Sequence, residues 1–225
     1  MQFAIGLYDR FTALDAIGPF AVFTNVPQAD VVLCGERAGV LTDDTGLLRL
    51  EVAHTFDDVR DPDVVLVPGA VVTRRLARDG APIVEWLRAV HPATTVTTSV
   101  CTGALLLGAA GLLTGRRATT HWLALEQLRA FGAIPCTDRV VADGKIRTGA
   151  GVAAGIDLAL QIVGELQGAE TAQAIQLGIE YDPQPPYDAG SPGKAPAVVR
   201  EVVAQVLTAA ETEVLTSGAG HGAGG

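Results

Sequence analysis

The segment Thr98-Ser99-Val100-Cys101-Thr102-Gly103-Ala104 sets a thiol between a β-branched run and a Leu- and Ala-rich one. A nucleophile at a sharp strand-to-helix turn adopts a strained backbone, so the residues two positions to either side must be small. Ser99 and Gly103 meet that demand, with the spacing of a G-x-S-x-G elbow. A thiol at a helix N-terminus feels the positive end of the helix dipole, which predicts a pKa lowered from about 8.5 toward neutrality. The amide of Thr102 would point to where an anionic intermediate forms. The competing reading is that Cys101 is a small buried core residue.

A thiolate also needs donors and a proton partner. Pro68-Gly69-Ala70 ends another apolar run, and free amides at Gly69 and Ala70 could complete an oxyanion hole; the alternative is a plain strand-ending turn. Asp15, in apolar company within Leu14-Asp15-Ala16-Ile17-Gly18-Pro19, reads either as a helix cap or as an acid-base group whose pKa burial raises. His121, beside Trp122, is the histidine to weigh as a pocket residue, against a satisfied His next to a buried Trp. Cys34 and Cys136 read as strand packing, and the absence of C-x-x-C or H-x-x-x-H spacing speaks against a metal site. Gly149–Gly155 lacks the Lys-Ser/Thr of a phosphate loop and reads as close backbone packing at the sheet edge, with Gly151 and Val152 facing the pocket.

The elements that must position these residues alternate short β-branched runs with helix-period segments, an α/β pattern with a mainly parallel sheet. Strands are expected at Phe3–Tyr8, Asp30–Cys34, Asp63–Val67 and Thr94–Val100, and an inserted antiparallel hairpin between Val40 and His54 turns at Asp43-Asp44-Thr45-Gly46. Ile134–Thr148 reads as strands around Asp143-Gly144. Helices are expected near Ala16–Phe23 with Pro19 in the first turn, and at Ile83–Val90, Thr102–Leu113, Thr120–Phe131 with a Thr119 or Thr120 cap, Ala153–Leu166 and Val198–Thr212. Tyr181–Pro196 is an ordered Pro- and Gly-rich excursion. One catalytic domain is expected over 1–196, a helix packed on it over 197–216, and a disordered Gly-rich tail over 217–225.

Composition narrows the function classes. The 225 residues carry 16 Lys+Arg against 25 Asp+Glu, a formal charge of −9, which disfavours nucleic acid as a partner. The 48% hydrophobic content excludes a disordered chain. Three cysteines do not make a disulfide framework. The uncharged stretch Pro92–Gly115 opens with a polar β-branched run, so it reads as a buried strand and helix, with no membrane span. The N-terminus lacks a basic n-region, which points to a soluble, cytoplasmic protein.

Together these residues resemble the PfpI-type, glutamine-amidotransferase-like superfamily, which includes the parkinsonism-associated deglycase, and within it the bacterial isocyanide hydratases. The resemblance rests on Leu14-Asp15 with Gly18-Pro19, Pro68-Gly69-Ala70, Thr98–Gly103, Leu107–Leu113, Arg117–Trp122, Ala154–Asp157 and the excursion through Pro185-Pro186 and Ala189–Pro192. It implies a flavodoxin-like three-layer sandwich, a homodimer, no metal or organic cofactor, and a small isocyanide as substrate. It carries the nucleophile role to Cys101, with Asp15 and Thr102 as polar partners. Peptidase-type relatives place His after the Cys; Thr102 here argues against peptidase activity. Ala70 replaces the more usual second Gly, which restricts the loop. The alternatives are glyoxalase- or deglycase-type chemistry on small dicarbonyls, and a non-catalytic redox- or ligand-sensing module; the residues after Pro196 are too few for a helix-turn-helix region.

Overall fold

The computed structural model describes the backbone of residues 1–217 and the side chains of 1–214. It divides into two compact units, Met1–Tyr181 and Asp182 onward. The first unit contains, in order, β1 (Gln2–Gly6), α1 (Ala13–Phe23), β2 (Asp30–Gly35), β3 (Gly39–Thr42), β4 (Arg49–Val52), β5 (His54–Thr55), β6 (Val64–Val67), α2 (Thr73–Asp79), α3 (Pro82–Val90), β7 (Val96–Val100), α4 (Gly103–Ala109), β8 (Arg117–Ala118), a 3-10 helix (Trp122–Phe131), β9 (Ile134–Pro135), β10 (Val140–Asp143), β11 (Ile146–Gly149), α5 (Ala154–Gln167) and α6 (Ala169–Gly178). The second holds α7 (Ala197–Ser217), preceded by an excursion without helix or strand. Apart from Ser217, the expected tail lies outside the described residues.

The central sheet runs β10-β11-β7-β6-β1-β2-β5. All its pairings are parallel except β10 with β11. Every residue of β6 and β7 is buried, as expected of strands covered on both faces. Chain order reverses between β1 and β6: β1 leads outward to β2, while β6 leads the other way to β7. Right-handed crossovers then put helices on opposite faces and open a crevice at the strands' carboxyl ends. α1 packs on α5, and α2 and α3 pack on α4. The result is the mostly parallel, helix-flanked flavodoxin-like α/β fold. Asp15 follows β1, Gly69 follows β6 and Cys101 follows β7, so the crevice gathers all three.

The inserted hairpin is present as the antiparallel pair β3–β4. Its turn is tied to the segment leading into α1: Arg10 N–H donates to the Thr42 carbonyl at 2.6 Å, Asp44 N–H to Phe11 at 2.9 Å, and the Thr12 hydroxyl to Asp44 Oδ2 at 2.7 Å.

Several local expectations need correction. Pro19 lies inside α1, not in its first turn; four residues beyond Asp15, it has no N–H to offer that residue's carbonyl. Asp15 is not the cap, since α1 begins after Thr12. His54 belongs to a two-residue parallel edge strand beside β2, outside the hairpin. α4 ends at Ala109, and α2 and α6 were not foreseen. The segment before Phe131 is 3-10 and starts at Trp122; His121 caps it, its ring nitrogen accepting from Leu123 N–H at 3.4 Å. The threonines expected to cap are engaged elsewhere: Thr119 N–H donates to Thr148 Oγ1 at 2.9 Å and the Thr120 hydroxyl to the Cys101 carbonyl at 2.7 Å.

Candidate active site

Cys101 has φ of +56°, the left-handed region that a residue with a Cβ rarely occupies. The strain is held by main-chain bonds on both sides. Its N–H donates to the carbonyls of Gly149 and Ala150, each at 3.1 Å, while Thr120 clamps its own carbonyl. A Cβ at Gly103 would lie 2.5 Å from the Val67 carbonyl oxygen, which is why the turn requires glycine there.

Asp15 is fully buried, and its Oδ2 accepts the Gly69 N–H at 2.8 Å. Its Oδ1 is buried without a hydrogen-bond partner among the described residues. Burial raises its pKa to about 7, against the opposing pull of the Gly69 N–H and the Cys101 thiol; Asp44 pushes it further up. Cys101 is 7% exposed. Its thiol is pushed up, first by burial and then by the Asp15 charge, and the N–H groups of Thr102 and Val152 and the Thr102 hydroxyl recover only part of this. The expected lowering toward neutrality is therefore corrected: the helix end is present, but desolvation beside a carboxylate outweighs it.

The loop after β6 also differs from expectation. Neither amide is free for an oxyanion: Gly69 N–H is taken by Asp15, and Ala70 N–H donates to Thr102 Oγ1 at 3.0 Å. The Thr102 hydroxyl in turn donates to the Ala70 carbonyl at 3.0 Å. The amides directed at the sulfur are those of Thr102 and Val152. His121 is half-buried against Gly151, where a Cβ would meet its Cδ2 at 3.0 Å. Burial and the Arg74 charge lower its pKa. Trp122 lies beside it, ring centroids 5.8 Å apart. The structure thus brings together Cys101, Asp15, Thr102, Gly69, Ala70 and Val152, with Gly151 and His121 next to them; Trp122 packs behind His121.

Two residues beside the site carry no local sequence signal for it. Thr120 reads as a helix cap along the chain but bonds the Cys101 carbonyl. Tyr8 reads as a strand residue, yet its buried hydroxyl donates to the Pro68 carbonyl at 2.7 Å. Among the described residues no cluster of three or more His, Cys, Asp or Glu could hold a metal ion, and no helix is long and apolar enough to cross a membrane.

The sequence profile of the DJ-1/PfpI family matches residues 1–165, a span that includes every residue of this constellation. The chain belongs to the DJ-1/PfpI family. Within it, the chain is 44% identical over 199 residues to a protein named isonitrile hydratase from Pseudomonas putida, covering 88% of this chain and 86% of that one. The crystal structure of a ThiJ/PfpI family protein from Pseudomonas syringae superposes with a TM-score of 0.89 at 38% identity, over 95% of this chain and 88% of the other. The transcriptional regulator CdhR of Pseudomonas aeruginosa is 35% identical over 92 residues, only 40% of this chain and 27% of its own.

Proposed function

We propose that this protein hydrates an isocyanide to an N-substituted formamide through a covalent Cys101 thioimidate. The observation that carries the reading is the burial of one thiol beside one carboxylic acid whose pKa burial raises to about 7. The 44% identity to an isonitrile hydratase supplies the substrate class. An isocyanide carbon is electrophilic toward sulfur and becomes basic once attacked, so it needs a proton at once. As Cys101 adds, its proton passes to Asp15 Oδ1 and on to the former isocyanide carbon, giving R–N=CH–S–Cys. Asp15, again a carboxylate, takes a proton from water as the hydroxyl adds to that carbon. The proton goes to nitrogen, the tetrahedral species collapses, and the C–S bond breaks to release R–NH–CHO. The hydroxyl proton returns to the pair.

Each residue has a task in this scheme. The Thr102 and Val152 amides stabilise the sulfur as it gains charge. Oδ1 is the oxygen that moves protons, since Oδ2 is held by Gly69. Covalent catalysis divides one difficult hydration into two easier steps. We further propose a cytoplasmic homodimer without a cofactor.

The test is product analysis with a simple alkyl isocyanide, together with mass spectrometry of the protein during turnover. A formamide and a mass increase confined to Cys101 are expected, both absent in Cys101→Ala. A Cys101→Ala protein that hydrates at the wild-type rate removes the proposal. Methylglyoxal turnover without isocyanide turnover would replace it with the dicarbonyl reading.

A further inference from the structure

Tyr8 stands just past β1 with 9% exposure, and its hydroxyl donates to the Pro68 carbonyl at 2.7 Å. That carbonyl and the Gly69 N–H are the two ends of a single planar peptide unit. The other end donates to Asp15 Oδ2 at 2.8 Å. The unit is also fixed beyond Gly69: Thr12 N–H donates to the Gly69 carbonyl at 2.9 Å, and Thr102 holds Ala70. A hydrogen bond accepted by an amide oxygen draws electron density from its nitrogen and makes the N–H a better donor, by roughly 10–30% per bond in such chains. Tyr8 and Asp15 are therefore joined through one amide.

We infer that Tyr8 is a positioning residue for Asp15: its hydroxyl fixes and polarises the Pro68–Gly69 peptide, whose N–H holds Oδ2 and leaves Oδ1 to exchange the proton with Cys101. Burial, with Asp15, Cys101 and Asp44 adding to it, raises the Tyr8 phenol well above its usual range, so it stays a neutral donor throughout. The groups acting on the pair from neighbouring elements are Asp44, held through Thr12, which disfavours the Asp15 charge, and Arg74 on α2, whose charge acts on Cys101. Against these, the amide that Tyr8 polarises stabilises the carboxylate. Without the hydroxyl the carboxylate is less well held, Asp15 keeps its proton to higher pH, and the pair stays doubly protonated and inactive over a wider range. The inference rests on the Cys101–Asp15 chemistry proposed above.

Tyr8→Phe keeps the ring and removes only the donor. Two profiles are measured on the folded variant: kcat/KM for an alkyl isocyanide, and the rate of Cys101 alkylation by iodoacetamide, which follows the same proton without needing turnover. Both acid limbs should move up by about 0.5–1 pH unit, so that rates at pH 6 fall roughly three- to tenfold while those at pH 9 match the wild type. Fluorotyrosine at position 8, a stronger donor of nearly the same shape, should move both limbs down, and it decides the matter alone if Tyr8→Phe does not fold. Unmoved midpoints, or an equal loss at every pH, would overturn the role of Tyr8. A shifted alkylation profile in a protein that hydrates no isocyanide keeps Tyr8 in this role and removes the hydratase reading.

Discussion

Asp15 and Gly69 stand 54 positions apart, yet the Gly69 N–H lies 2.8 Å from Asp15 Oδ2 in the buried floor of the site. This bond engages Oδ2 and opposes a burial that otherwise drives the carboxyl toward neutrality. With the pKa at about 7, hydration should rise with pH through that value as the pair loses the first of its two protons. Stability should move the other way. The folded-state pKa lies above the unfolded value of 3.8, so Asp15's contribution is complete below about pH 4 and is lost as pH rises through about 7. The difference amounts to roughly 4 kcal/mol. Asp15→Asn should abolish hydration and flatten the decline in melting temperature between pH 4 and 7. A variant that melts with the wild-type pH dependence would show that the proton is held elsewhere.

Gly69 and Gly103 are required by close approach. A Cβ at Gly69 would fall 2.5 Å from the Thr102 nitrogen and 2.9 Å from Asp15 Oδ2; at Gly103 it would fall 2.5 Å from the Val67 oxygen. Rigid backbone cannot yield as a side chain can, and overpacking of this kind costs about 1–3 kcal/mol or more. Gly69→Ala displaces Asp15 and Thr102 together, so it should lower kcat by at least tenfold beyond any loss of folded protein. Gly103→Ala should mainly lower the melting temperature. Kinetics on the soluble fractions, normalised to titratable thiol, separates the two effects.

What could be read along the chain was local in origin. The all-buried Val64–Val67 and the elbow around Cys101 announce themselves, because burial on both faces and steric room at a tight turn are written in neighbouring residues. Asp15 was legible only as two alternatives until the family resemblance favoured one, since nothing near it encodes its approach to Gly69. The commitment of the Ala70 amide to Thr102, the duties of Tyr8 and Thr120, and the upward push on the thiol all arise from tertiary contacts between separate elements. Dipole reasoning at a helix end omits desolvation, and desolvation prevails here.

Thr120 offers a clean measure of how the elbow is held. Its hydroxyl donates to the Cys101 carbonyl at 2.7 Å in a buried setting. Thr120→Val is nearly isosteric and leaves that carbonyl without this donor, a loss of about 1–3 kcal/mol. Because the bond supports a residue at φ of +56°, part of the loss should appear as a misplaced sulfur. A kcat reduced about tenfold with KM little changed is expected, and Thr120→Ser should restore most of it. An unchanged kcat in the valine variant would mean that the bonds from Cys101 N–H suffice to hold the turn.

Thr102 joins two parts of the machinery through one oxygen. Its Oγ1 accepts from Ala70 N–H and donates to the Ala70 carbonyl, both at 3.0 Å, while its own N–H is directed at the sulfur. Thr102→Val keeps the shape and the amide but leaves the buried Ala70 N–H without its acceptor, at about 1–3 kcal/mol, while the Ala70 carbonyl keeps the Thr73 hydroxyl. The freed Ala70 loop would no longer fix the neighbouring Gly69 peptide, so the hold on Asp15 weakens as well. A lower melting temperature and an acid limb displaced upward are expected together. Thr102→Ser retains the hydroxyl and should show neither change beyond a small packing loss. If valine lowers the melting temperature while the acid limb stays fixed, the Ala70 contact is structural only, and the Gly69 peptide is held in place by Tyr8, Thr12 and Asp15.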